Sequence, residues 1–200
     1  MIDYWNHNTA YHPELLASVP TSVSHVLDVG CGDGLLLQKL SARTNQVTGI
    51  DPDVSAVAQA KARFSERAGV HIILGDFLNS PELDIQRFEL ITCVATLHHL
   101  PLFAGLERMR SLLTPGGQLR IVGIAANSTV IDWIISVVLL VPIRLMSKIH
   151  HESGYSDMTT ARPSETFTEI REAAAATLPG SRVRRRFYYR YTIAWTKPLD

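Results

Sequence analysis

Through the first hundred residues, short apolar runs alternate with amphipathic stretches, the pattern of a parallel sheet whose strands are joined by crossover helices. His25-Val-Leu-Asp-Val29 reads as a buried strand that runs into the glycine-rich turn Gly30-Cys-Gly-Asp-Gly34, and Leu35–Leu40 begins a helix. Gln46–Ile50 predicts a second strand ending at Asp51-Pro52, followed by a helix over Ser55–Ala68. His71–Leu74 and Phe88–Cys93 predict strands three and four, with Gly75-Asp-Phe77 opening a loop between them. Pro101–Leu113 starts with proline near a first helical turn, and Pro115-Gly-Gly117 turns into a fifth strand, Gln118–Gly123.

Beyond the fifth strand the pattern changes. A helix over Glu165–Thr177, the break at Pro179-Gly180 and two β-rich runs, Arg182–Tyr188 and Tyr191–Thr196, predict a closing antiparallel hairpin. The expected fold is a doubly wound, Rossmann-like α/β sheet, mostly parallel with an antiparallel C-terminal hairpin strand. No repeat or linker interrupts it, so residues 1–200 are expected to form one domain, with 1–22 as an N-terminal cap and 128–162 as an insertion.

Composition narrows the class. The chain has 46% hydrophobic and 19% charged residues, which excludes collagen-like and intrinsically disordered readings. Lys plus Arg equals Asp plus Glu at 19 each, so no global field recruits nucleic acid or an anionic membrane. Two cysteines, Cys31 and Cys93, are too few for a disulfide scaffold and fit a reducing, cytoplasmic compartment. The N-terminus lacks the basic start and apolar run of a secretory signal. The apolar run Trp133–Ile143 is eleven residues long, whereas a membrane span needs about 20, so no span is expected.

A strand that ends in glycines where a helix begins lets backbone approach a ligand closely, and the helix end favours an anionic group. The pattern here is Asp28-x-Gly30-x-Gly32-x-Gly34, with Leu35 where a dinucleotide fingerprint would place its third glycine, which counts against NAD or a flavin dinucleotide. Asp51 lies 19 residues after Gly32 at the tip of the second strand, where a carboxylate can accept both hydrogen bonds of a ribose diol. Asp76, at the tip of the third strand, can accept from an exocyclic amine while Phe77 beside it packs on a purine face. Adenosine fits all three tips.

These residues resemble the motifs of class I S-adenosylmethionine-dependent methyltransferases of the small-molecule type. The resemblance rests on Val26–Gly34, Gly49-Ile-Asp-Pro-Asp53, Gly75-Asp-Phe77, Phe88–Leu100 ending Leu97-His-His-Leu100, and Leu113-Thr-Pro-Gly-Gly117, in family order. It covers residues 20 to 125 and the final hairpin in outline. It implies S-adenosylmethionine as cofactor, with Gly30, Cys31 and Gly32 presenting backbone to the methionine portion and Asp28 supporting the turn. It further implies Asp51 on the ribose, Pro52 near the adenine, Asp76 and Phe77 on the adenine, and the backbone at Cys93 beside the amino group and sulfonium.

Methyl transfer from a sulfonium is an in-line displacement, so alignment of the acceptor and exclusion of water carry most of the catalysis. A hydroxyl or protonated amine acceptor must also lose a proton. His98 and His99, immediately after the fourth strand, are the candidate catalytic bases, against a structural role for at least one of them. Tyr11 and His12 in the aromatic and polar opening are candidate contacts to the cofactor. In the insertion, Trp133, Ile134, Val137, Val138 and Val141 form one apolar stripe at helical spacing, which predicts a lid that selects a small acceptor with an apolar portion.

Arg182, Arg184 and Arg186 alternate along a strand and are followed by aromatics, a combination that invites RNA. On one edge hairpin in a chain of zero net charge they read instead as guards against edge pairing, and no nucleic-acid partner is expected. The alternatives to small-molecule methylation are a cofactor-binding protein without catalysis and an RNA or protein methyltransferase.

Overall fold

The computed structural model describes residues 4–20, 22–65, 67–126, 163–186 and 190–199. After a 3-10 turn at Thr9–Tyr11 come α1 (His12–Ala17), β1 (His25–Val29), α2 (Leu35–Ser41), β2 (Gln46–Asp51), α3 (Val54–Arg63) and β3 (Val70–Leu74). There follow α4 (Pro81–Asp84), β4 (Phe88–Val94), a 3-10 turn at Leu97–His99, α5 (Leu102–Leu112), β5 (Leu113–Ile124), α6 (Phe167–Thr177), β6 (Arg182–Arg185) and β7 (Arg190–Thr196). The predicted insertion 128–162, with its apolar stripe, lies outside the described residues.

The strands form one sheet in the order β3-β2-β1-β4-β5-β7-β6. The first five are parallel, and β7 runs antiparallel to both β5 and β6, so the expected mostly parallel sheet with a closing hairpin is present. The last strand is inserted between β5 and β6, which leaves β6 at the edge.

Period-two alternation sends neighbouring residues of each strand to opposite faces. Val26, Val47, Leu90 and Val122 pack on one face with Leu36, Leu40 and Val57 of α2 and α3. Leu27, Ile91, Leu119 and Ile121 pack on the other with Leu106 and Met109 of α5 and Ile170 and Ala173 of α6. Central strands buried on both faces explain the nearly continuous apolar runs of β1, β2 and β4.

Helix ends follow local chemistry. Asp53 caps α3 by accepting from the amides of Ser55 and Ala56, and Thr166 and Glu169 form a capping box on α6. Helix α3 stops at Arg63 rather than at Ala68, since Phe64 leaves helical backbone and is buried in the core. Helix α4 has no counterpart among the predicted elements; four residues are too short for a periodic signal. No described helix is long and apolar enough to cross a membrane.

Candidate functional site

The carboxyl ends of β1, β2 and β4 meet at the crevice beside the glycine turn, where the strand order reverses after β1, the usual ligand position in open α/β sheets. Gly30, Gly32 and Gly34 have φ of 70°, 54° and 79°, the left-handed region that L side chains rarely enter. A Cβ on Gly30 would sit 2.0 Å from Oγ1 of Thr96, so β1 and the loop after β4 touch only because Gly30 has no side chain. A Cβ on Gly32 would project into open space.

Four of the five amides of this turn are already engaged. Gly30 and Cys31 donate to the carbonyl of Ile50 at 2.8 and 3.1 Å, and Gly32 donates to Oδ2 of Asp51 at 2.9 Å. Gly34 donates to Cys31 O, and Leu35 donates to Oδ1 of Asp33. A phosphate cradle needs free amides. The turn therefore offers an anion fewer donors than expected of a glycine-rich loop at a helix start.

The walls carry carboxyl groups instead. A cavity of about 80 Å³ is lined by Asp28 of β1, by Gly30, Cys31, Gly32 and Asp33 from the turn and by Val94 from β4. Asp28 is buried and accepts from Oγ1 of Thr92 at 2.7 Å. Burial pushes its carboxyl up to about 7, the Thr92 bond pulls it down, and nearby Asp51 raises it further. Asp33 pairs with Arg63 and accepts from the Tyr4 hydroxyl at 3.2 Å. Such a lining suits a cationic head better than an anionic one.

Asp51 is buried at the tip of β2, and its Oδ1 accepts from the amide of Asp53 at 2.9 Å. With Gly32 on Oδ2, each carboxylate oxygen retains acceptor capacity for a ligand hydroxyl. Pro52 beside it is exposed. Asp76 is exposed and caps the loop that follows it, accepting from the Leu78 amide at 3.0 Å and from the Asn79 side chain. Phe77 departs from its expected position. At 4% exposure its ring belongs to the core with Ile73, Leu83 and Phe88, and burial of an aromatic ring there outweighs presentation to a ligand.

Tyr11 also departs from expectation. Its ring belongs to the core beside Leu15 and lines a different cavity, on the far side of α1. The opening segment reaches the glycine pocket through Tyr4, Asn6, Asn8, Thr9 and His12. Asn6 folds that segment by accepting from the amides of Asn8 and Thr9 at 3.0 and 2.9 Å. Arg190 of β7 donates to Oδ1 of Asn8 and ties the segment to the sheet. The aromatic and polar bias of the opening marks the segment; which side chain points inward depends on this turn.

Cys93 is buried at the end of β4 and pairs in register with Val29 of β1, and burial pushes both its thiol and that of Cys31 upward. Ala95, two residues on, has φ of 52°, a non-glycine residue held in left-handed backbone with its amide on Val122 O at 2.7 Å. Such strain persists where surrounding contacts fix it, often at functional sites. The 3-10 turn then sets His98 against His99 with ring centroids 4.1 Å apart. His98 is half-buried, its Nδ1 is buried without a hydrogen-bond partner, and burial, with His99 and Arg190 nearby, pushes its pKa down to about 4. Its imidazole is neutral across the physiological range. His99 is exposed.

A family model described as a methyltransferase domain matches residues 26–117. Over 196 residues the chain is 32% identical to an uncharacterized methyltransferase of Mycobacterium tuberculosis, covering 98% of each chain. It is 37% identical over 100 residues to a ubiquinone biosynthesis O-methyltransferase of Coxiella burnetii, covering 48% of this chain and 41% of that one. Its fold is similar to that of an amino pentose methyltransferase of Micromonospora echinaspora involved in calicheamicin biosynthesis, solved with S-adenosylmethionine bound. That match has a TM-score of 0.63 and 18% identity, covering 98% of this chain and 92% of that one.

Proposed function

Because this chain belongs to the class I S-adenosylmethionine-dependent methyltransferase family, we propose that it transfers a methyl group from S-adenosylmethionine to a small-molecule acceptor. The observation that carries the choice of donor is the glycine turn itself. Four of its five amides are taken up by Ile50, Asp51 and Cys31, and the adjoining cavity is walled by Asp28 and Asp33. A ligand that brings an ammonium group and a ribose fits this lining, whereas a pyrophosphate would meet carboxyl groups and a turn whose amides are mostly engaged. The small-molecule class is supported by the names of two proteins it resembles, one for ubiquinone biosynthesis and one for an amino pentose.

When bound, S-adenosylmethionine would supply an electrophilic methyl on a sulfonium, which passes in line to the acceptor as the C–S bond breaks and S-adenosylhomocysteine leaves. Asp28, ionised by a facing ammonium, would orient the amino-acid end, with Gly30, Cys31 and Gly32 leaving room for it. Asp51 would accept the ribose hydroxyls, Pro52 would border the adenine, and Asp76 would accept from its amine. The backbone at Cys93 would lie beside the sulfonium. His98, neutral and with a free buried nitrogen, would receive a hydrogen bond or a proton from the acceptor, with His99 outside it.

Calorimetric titration with S-adenosylmethionine, S-adenosylhomocysteine and NAD tests the donor, and a panel of phenolic, amine and sugar acceptors assayed for S-adenosylhomocysteine tests the reaction. Binding of the adenosyl ligands but not NAD, with turnover on at least one acceptor, is the expected result. Cofactor affinity with no turnover on any acceptor would favour a binding protein.

A further inference from the structure

A second cavity, of about 210 Å³, lies on the other side of α1 from the glycine pocket. Its floor is formed by β5, β7 and β6, with α1 beside it, on the sheet face that also carries α2 and α3. There Arg120 of β5, Ala194 of β7 and Arg182 of β6 stand in register across three strands, and Val122, Thr192 and Arg184 form the next row. Side chains two apart on a strand share a face, so the guanidiniums of Arg120, Arg182 and Arg184 rise around a floor of small residues. Arg186 and Glu14 close one end as an ion pair.

The charge balance of this cavity is uneven. Four guanidiniums line it and one carboxylate answers them. Arg120 is half-buried on an interior strand, and its partners are neutral: the Ser18 hydroxyl, the Leu119 and Trp195 carbonyls and the Gln118 side chain. The side chains of Arg182 and Arg184 make neither a hydrogen bond nor an ion pair among the described residues. Edge protection explains exposed arginines on β6; it does not explain a fourth, desolvated one two strands inward aimed into the same space.

The geometry points to a binding site for a compact phosphate-bearing ligand, a phosphomonoester or free phosphate, held by Arg120, Arg182 and Arg184 over the Thr192–Ala194 floor. Planar guanidiniums match phosphate oxygens bidentately. The volume lies below the roughly 300 Å³ at which drug-sized pockets begin, which favours a small anion over an extended chain. Since Tyr11, Glu14 and Leu15 line this cavity while Thr9 and His12 line the glycine pocket, one short segment forms a wall of both.

Titration of the full chain with inorganic phosphate and with glycerol 3-phosphate, at ionic strength held constant with chloride, tests the site. The wild-type chain is expected to bind one phosphate group saturably. The R182Q/R184Q variant is expected to lose about tenfold or more in that affinity for each charge-assisted contact removed, with its melting curve and S-adenosylmethionine affinity unchanged. Retention on phosphatidic acid vesicles, lost in the variant, would assign the phosphate to a lipid headgroup; soluble binding without retention would assign it to a metabolite. Equal phosphate affinity in wild type and variant would overturn the site. So would saturable, salt-steep binding of single-stranded RNA by a chain that binds neither phosphate nor glycerol 3-phosphate.

Discussion

The amide of Gly32 donates to Oδ2 of Asp51 at 2.9 Å, tying the turn after β1 to the tip of β2. The carboxylate thereby shapes the turn, and in the proposed function it also accepts the ribose hydroxyls. Replacing Asp51 by Ala should weaken S-adenosylmethionine binding by about 1.5 to 3 kcal/mol, roughly 10- to 150-fold, measured by calorimetry. Asp51→Asn keeps one acceptor oxygen but turns its NH2 toward the amide of either Gly32 or Asp53, so it should lose one of these two bonds and part of this affinity. Unchanged affinity in both variants would remove Asp51 from the site.

Asp28 makes folding stability depend on pH. Its carboxyl titrates at about 7 in the folded chain, chiefly through burial, against 3.8 as the ordinary value. The folded state therefore keeps a proton that the unfolded chain has released, and stability falls as pH rises between those values. The favourable contribution is complete below the ordinary value and lost once pH passes 7. Asn at position 28 still accepts from Thr92 but cannot ionise, so urea midpoints of D28N should fall less than those of wild type between pH 4 and 8. Cofactor affinity of the wild-type chain should in turn rise through neutrality, as an ionised Asp28 meets an ammonium. Parallel pH profiles in the two proteins would contradict this account.

His98 and His99 should separate kinetically. His98 is neutral with an unpartnered buried nitrogen, and His99 is exposed beside it. With a turned-over acceptor, His98→Gln is expected to lower kcat on the order of 10²-fold at preserved cofactor affinity, with His99→Gln close to wild type. Activity should show no acidic limb at the ordinary histidine pKa, because His98 stays neutral down to about pH 4. Equal, near-wild-type rates in both variants would leave alignment alone as the source of catalysis.

Gly30→Ala should destabilise the fold as well as the site. The new methyl meets Oγ1, Cγ2 and Cβ of Thr96 at 2.0, 2.4 and 2.7 Å, and φ of 70° adds strain. Overpacking costs about 1 to 3 kcal/mol and left-handed backbone about 1 to 2 more, readable as a lowered urea midpoint. Adding Thr96→Ala removes the two nearest atoms and should restore part of the loss, leaving the backbone component. Full recovery in the double variant would show that the left-handed backbone imposes no cost.

The strand and helix order of the parallel half, the glycine turn and the acids at strand tips were legible in the chain because each depends on local chemistry. Buried strands read as apolar runs, left-handed turns require glycine, and Asp51 and Asp76 follow directly on their strands. The insertion of β7 between β5 and β6 was not legible, since strand order is set by which edges pair in space. Nor was the inward side of the opening segment: Asn6 turns the chain so that Tyr4 and His12 line the glycine pocket while Tyr11 turns to the core. Phe77 shows the same division, an aromatic beside a strand tip whose burial was decided by neighbours distant in sequence. The arginines of β6 read alone as edge guards. Only the sheet register, which brings Arg120 from 62 to 64 residues away in sequence to face Arg182 and Arg184 across β7, makes them the walls of one cavity.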